Sequence, residues 1–156
     1  MVKIVFENVP MDKSEDNLIN NLKILIVEDD LASETYITIV VKNFSKEILV
    51  VRNGVEAVET CHDNPDLDLI LMDIKLPKMD GYEATRQIRE FNKDVIIIAQ
   101  TARALTGDRE KAIEAGCNDY ISKPISKALL IELIKMCFDK SADSGKREYR
   151  SDGSLR

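Results

Sequence analysis

The sequence predicts an α/β fold: a doubly wound, five-stranded parallel sheet in strand order 2-1-3-4-5, with helices on both faces. Three observations point there. Short β-branched runs alternate with stretches of helical period along most of the chain. The runs are apolar throughout, as in Val95-Ile96-Ile97-Ile98, which suits strands covered by helices on both sides. Aromatic residues make up only 5% of the chain and Trp is absent, so the core must rest on Ile, Val, Leu and Ala.

The first strand is read over Lys23 to Val27, followed by a helix from Leu31 to Phe44. The second strand, Ile48 to Val51, precedes a helix from Val55 to Cys61, and the third, Leu69 to Met72, one from Tyr82 to Phe91. Val95 to Ala99 forms the fourth strand, with a helix near Asp108 to Ala115. Tyr120-Ile121 is the fifth, and the closing helix is Lys127 to Phe138, where Leu129, Leu130, Leu133, Ile134 and Cys137 make an amphipathic stripe. This is a flavodoxin-like arrangement, and its ligand crevice lies outside the carboxyl ends of the strands.

The flanks fall outside the pattern. Residues 1–21 read as a linker or the remnant of an upstream domain, with Val2 to Phe6 a weak strand or a frayed end, and residues 141–156 as a flexible polar tail; the domain proper spans 22–140. A chain of 156 residues has room for one core. With 28 acidic against 22 basic residues the net charge is -6, which argues against nucleic acid or an anionic membrane as partner. No run approaches the ~20 apolar residues of a membrane span and the start is unlike a signal peptide, so a cytoplasmic protein is expected, or the cytoplasmic part of a membrane-anchored sensor. Cys61, Cys117 and Cys137 show no C-x-x-C pairing and read as reduced, packed thiols. His62 is the sole histidine, which removes triads and His-rich metal sites.

The strand ends carry the chemistry. The first ends in Glu28-Asp29-Asp30, the third in Asp73, the fourth in Thr101-Ala102, and the fifth leads to Lys123-Pro124. An acidic cluster at the end of a sheet is costly without a cation. Oxygen donors without His or Cys select a hard ion, best Mg²⁺, with Mn²⁺ as a substitute. A carboxylate beside such an ion, a hydroxyl and an ammonium together suit phosphoryl transfer, with Asp73 the candidate nucleophile.

These motifs, Ile24-Leu25-Ile26-Val27-Glu28-Asp29-Asp30, Leu71-Met72-Asp73 through Gly81, Thr101-Ala102 and Asp119 through Pro124, resemble those of two-component response-regulator receiver domains, over roughly Leu22 to Asp139. The resemblance implies that Asp73 accepts a phosphoryl group from a phosphohistidine on a histidine kinase or histidine phosphotransfer domain. It implies direct Mg²⁺ ligation by Asp29, Asp73 and the Lys75 backbone carbonyl, with Glu28 acting through water. Lys123 would contact the phosphoryl oxygens. Thr101 would move to donate to them, Tyr120 would turn inward, and the face made by the fourth helix, fifth strand and fifth helix would change, with homodimerisation through that face as one outcome. Pro124 would follow a cis peptide, and Pro77 and Gly81 would shape the loop after Asp73.

Lys75, two after Asp73, and Arg103, two after Thr101, are expected to flank the path of hydrolytic water and to lengthen the phosphoryl lifetime. Two other classes compete. An aspartyl-phosphate phosphohydrolase of the haloacid-dehalogenase kind needs Asp-x-Asp, whereas Asp73 is followed by Ile74 and Lys75. A pseudo-receiver binding partners without phosphorylation is opposed by the full set Glu28, Asp29, Asp73, Thr101 and Lys123. No ATP-site glycine motif is present. The resemblance implies a phosphoacceptor switch rather than an enzyme, and the receiver of a hybrid sensor kinase is preferred to a stand-alone regulator.

Overall fold

The structure, a computed structural model, describes residues 1–7, 19–102 and 105–150, and side chains as far as residue 143. Its elements are β1 (Val2–Val5), β2 (Leu22–Val27), α1 (Leu31–Val41) running into a short 3₁₀ turn (Lys42–Phe44), β3 (Ser45–Val51), α2 (Gly54–Asp63), β4 (Leu69–Asp73), α3 (Gly81–Phe91), β5 (Ile96–Thr101), α4 (Asp108–Ala115), β6 (Asp119–Ser122) and α5 (Lys127–Arg150). The sheet order is β1-β3-β2-β4-β5-β6. Within it the five predicted strands lie parallel in the expected 2-1-3-4-5 order.

Two expectations about the flanks differ. Val2–Val5 is a sixth strand of the same sheet, antiparallel to β3 with Val2 opposite Val50 and Val5 opposite Glu47. A short alternating run pairs wherever an edge offers unpaired backbone groups, and β3 is such an edge. Helix α5 also continues to Arg150, ten residues past the expected boundary at 140. No proline interrupts that stretch, and Gly145 alone weakens a helix without ending it. The polar run Met11 to Asp16 and the last residues, 151–156, lie outside the described residues.

Alternation along each strand divides the core in two. Ile24, Ile26, Ile48, Val50, Leu69, Leu71, Ile96, Ile98 and Ile121 meet Ile37 and Val41 of α1 and Leu130 and Ile134 of α5. On the other face Leu25, Val27, Leu49, Ile70, Met72, Ile97 and Ala99 meet Ala57 and Cys61 of α2, Ala84 and Ile88 of α3 and Ala112 of α4. Both faces are covered, which is why the strands read as unbroken apolar runs.

Helix starts are set locally. Asp30, Asn53 and Asp80 each cap a helix by accepting from the backbone N–H three residues on, Ser33, Glu56 and Glu83. Glu34, Glu56 and Glu83 stand in those first turns, at the positive end of the helix dipole. Because these starts follow strand ends, they bring α1, α2 and α3 to the same edge of the sheet as Glu28 and Asp73.

Candidate phosphorylation site

Glu28 extends the β2 face that carries Ile24 and Ile26, and Asp73 ends the β4 face that carries Leu69 and Leu71, so both carboxylates stand on the α1/α5 side. Glu28 is fully buried and Asp73 is 5% exposed, whereas Asp29 is exposed. Carboxylate oxygens of Glu28, Asp29 and Asp73 all lie within 4.8 Å of one another. Lys123 reaches across from the end of β6, its Nζ 2.8 Å from Glu28 Oε2 and 3.1 Å from Asp73 Oδ2.

The electrostatics follow from this crowding. Burial pushes the Glu28 carboxyl up from its ordinary value, against the opposing pull of the Lys123 ammonium and the Asp30 N–H. Burial draws the Lys123 ammonium down, but its bond to Glu28 and the charge of Asp73 outweigh that and hold it above the ordinary lysine value. Three carboxylates against one ammonium leave a deficit of positive charge, and the donors are all hard oxygens. The set of Glu28, Asp29 and Asp73 fits a small divalent cation such as Mg²⁺.

The backbone around the carboxylates is fixed in detail. The Asp30 N–H donates to Glu28 Oε1 at 3.1 Å, and the Lys75 N–H donates to Asp73 Oδ1 at 3.1 Å. The loop after Asp73 turns tightly at Lys78, whose φ is +65°, with the Met79 N–H donating to the Pro77 carbonyl at 2.7 Å. Gly81 closes it by donating to the Ile74 carbonyl at 2.9 Å. A Cβ at Gly81 would stand 2.3 Å from the Asp73 carbonyl oxygen, so only glycine lets α3 start this close to the site. Met79 in turn presses its carbonyl on Gly54, where a Cβ would stand 2.2 Å away.

Thr101 ends β5 and is buried, and its carbonyl accepts from the Lys123 N–H at 2.7 Å. The Lys123–Pro124 peptide is cis. Ala102 is exposed beside Thr101, and Tyr120 is half-buried against the core cluster on the α2/α3/α4 side. Lys75 and Pro77 are exposed, while Arg103 lies outside the described residues. Asp30, which the sequence placed in the acidic cluster, turns away to cap α1, and the Ser33 N–H it receives holds its carboxyl below the ordinary range. His62 is exposed at the end of α2, and all three cysteines are buried and free.

A family model for the response regulator receiver domain matches residues 24–135. The chain belongs to that family. Among curated relatives, this receiver domain is 39% identical over 127 residues to hybrid signal transduction histidine kinase B of Dictyostelium discoideum, covering 72% of the chain and 6% of that protein. It is 38% identical over 114 residues to the polar-differentiation response regulator DivK of Brucella anthropi, covering 72% of the chain and 92% of DivK. The chain thus spans a small fraction of the hybrid kinases it matches and nearly all of DivK.

Among solved structures, the receiver domain of a Pseudomonas aeruginosa sensor histidine kinase, with magnesium coordinated in its active-site cleft, aligns with a TM-score of 0.68 and 38% identity, over 76% of this chain and 98% of that one. The receiver domain of Ssk1 from Saccharomyces cerevisiae, crystallised with the histidine phosphotransfer protein Ypd1, belongs to a structure that aligns at 0.69 and 34% identity, over 74% of this chain and 88% of that one. Among the described residues, no helix is long and apolar enough to cross a membrane.

Proposed function

We propose that this receiver domain is a Mg²⁺-dependent phosphoacceptor that takes a phosphoryl group onto Asp73 from a phosphohistidine of a histidine kinase or phosphotransfer protein. The observation that carries the reading is the arrangement of Glu28, Asp29 and Asp73 around the Lys123 ammonium. In the transfer an Asp73 carboxylate oxygen bonds to phosphorus as the phosphorus–nitrogen bond of the phosphoimidazole breaks, and the imidazole leaves with the bonding electron pair. A bound Mg²⁺ would supply charge neutralisation at the phosphoryl oxygens, with Asp29, Asp73 and the Lys75 carbonyl as direct ligands and Glu28 acting through water. Lys123 turns its ammonium to a phosphoryl oxygen, Thr101 donates its hydroxyl to another, and Tyr120 moves further into the core behind it. The face of α4, β6 and α5 carries the change to an output partner, a second copy of the chain included. The domain is then a switch and not a turnover enzyme.

The matching hybrid kinases and the phosphotransfer complex support a phosphohistidine donor. We place this receiver in a hybrid kinase rather than in a stand-alone regulator; an immunoblot of the native source showing a band far above the mass of this chain is the expected result, and a band at its own mass would overturn that placement.

The central test is intact mass after incubation with Mg²⁺ and acetyl phosphate. One phosphoryl adduct is expected on the parent, with none on Asp73→Ala and none in chelator. An unphosphorylated parent that also fails to gain thermal stability from Mg²⁺ would point instead to a phosphorylation-independent binding module.

A further inference from the structure

We propose that Gln100 is a positioning residue of the phosphorylation centre: its side-chain amide is without a partner in the resting domain and becomes hydrogen-bonded to Lys123 when that lysine turns to the phosphoryl group. The inference rests on the reading of Asp73 as phosphoacceptor. Gln100 is fully buried, and neither its Oε1 nor its Nε2 has a hydrogen-bond partner. An orphaned amide in a closed interior is costly, and a leucine or methionine in the same strand would avoid the cost. Glu34 Oε2 and Glu47 Oε1, the other buried side-chain atoms without a hydrogen bond among the described residues, have Arg52 and two lysines as ion partners, whereas the Gln100 amide has none and calls for a role.

Its place in the sheet supplies one. Ile96 and Ile98 face the α1/α5 side, and Gln100 follows them on that face. Asp73 is its register partner on β4, and Ile121 its register partner on β6. Asp73 and Gln100 are therefore lateral neighbours about 4.8 Å apart by strand spacing. Lys123 lies two residues beyond Ile121, tied by its own N–H to the carbonyl of Thr101, the residue after Gln100. The Gln100 carbonyl accepts from the Ile74 N–H at 3.0 Å, so the backbone here is anchored and the side chain stays beside the phosphoacceptor.

The resting ammonium of Lys123 uses two of its three protons on Glu28 and Asp73. Phosphorylation converts Asp73 to an acyl phosphate and draws Lys123 toward the new oxygens. As the ammonium leaves Glu28 Oε2 the proton it gave that carboxylate is released, and Gln100 Oε1 is a buried, unpaired acceptor on the same face of the sheet. Pairing it only in the phosphorylated state lowers the energy of that state relative to rest. Gln100 thus biases the switch without touching the phosphoryl group.

The test compares the parent with Gln100→Leu and Gln100→Met, the latter unbranched and of similar length should leucine misfit. Thermal midpoints are measured in chelator, and affinity for beryllofluoride, a phosphoryl stand-in, is measured in Mg²⁺. The expected result is an unchanged or raised resting midpoint together with beryllofluoride binding weakened about three- to tenfold. A lowered resting midpoint in both variants would show the amide paired at rest and overturn the proposal, whatever the affinity does. Parent-like affinity in a folded variant overturns it as well. If the parent itself neither binds beryllofluoride nor gains an adduct from acetyl phosphate, the phosphoacceptor reading fails and the inference with it; loading that is equal in parent and variants sinks the inference alone.

Discussion

At the residue scale the weight falls on Lys123, whose ammonium is the counter-charge to two buried carboxylates. Truncating one partner of such a set leaves uncompensated charge behind, a larger loss than the net worth of the pair. Lys123→Met is expected to destabilise the metal-free protein by about 3 kcal/mol at neutral pH, read from a urea titration. Lowering the pH should shrink the deficit, because the Glu28 carboxyl already titrates above its ordinary value and takes up a proton more readily once the ammonium is gone. A deficit that does not change with pH would show that lost packing of the lysine stem, not charge, is responsible. Asp29, Asp73, Thr101 and Lys123 were all legible in the sequence as polar residues at strand ends. Gln100 was passed over, although a polar residue closing the run Ile96-Ile97-Ile98-Ala99 was the available signal.

At the element scale, α4 is the short helix whose two ends differ most. Its last turn is fastened: Gly116 takes φ +112°, its N–H donates to the Ile113 carbonyl at 3.0 Å, and the Cys117 N–H returns to the Ala112 carbonyl at 2.9 Å. Arg89 of α3 clasps the same turn, donating to the Gly116 carbonyl at 2.9 Å and to Asn118 Oδ1 at 2.9 Å, while Asn118 Oδ1 also receives the Ile97 N–H at 2.8 Å. The first turn begins at Gly107, with φ +94° and no side-chain cap. A Cβ at Gly116 would meet Arg89 Cγ at 2.7 Å in a backbone region unfavourable to L side chains, whereas nothing lies within 4 Å of one at Gly107. Gly116→Ala is therefore expected to cost about 2 kcal/mol in chemical denaturation, and Gly107→Ala, with backbone strain alone, about 1 kcal/mol. Equal losses at the two sites would show that the Arg89 clasp adds nothing.

At the scale of the whole molecule, stability should depend on pH at the alkaline end and on metal at neutrality. Burial pushes the thiols of Cys61, Cys117 and Cys137 each up to about 11 from an ordinary 9.0. A raised folded value gives a contribution that is full below pH 9.0 and is lost as the pH climbs through about 11, because the unfolded chain ionises first. The denaturation midpoint should fall across that window, and less steeply in Cys117→Ala; the thiols should react slowly with a disulfide reagent at pH 8 in the folded protein. A Mg²⁺ ion held only by the assembled site would, at ten times its dissociation constant, add about 1.4 kcal/mol. That is a rise of a few degrees in Tm, absent in Asp29→Ala; a rise kept by that variant would place the ion elsewhere.

The sequence alone was enough for the layer order, the five parallel strands and the strand ends that carry Glu28, Asp29, Asp73, Thr101 and Lys123. Those features follow from local periodicity and from residue types whose reach is a few positions. That Val2–Val5 joins the sheet at β3 and that α5 runs on to Arg150 came from the tertiary structure alone, since edge pairing depends on what is free to pair nearby and a polar run has no local pattern that marks where a helix stops. It also decided that Asp30 leaves the acidic cluster to cap α1, and that Lys123 bridges Glu28 and Asp73. Contacts between residues 28, 73 and 123, and the register of 73 against 100, span distances along the chain over which no local pattern can act. They exist because parallel crossovers return the carboxyl ends of the five parallel strands to one edge of the sheet, where carboxylate, amide and ammonium must satisfy one another or remain unpaired.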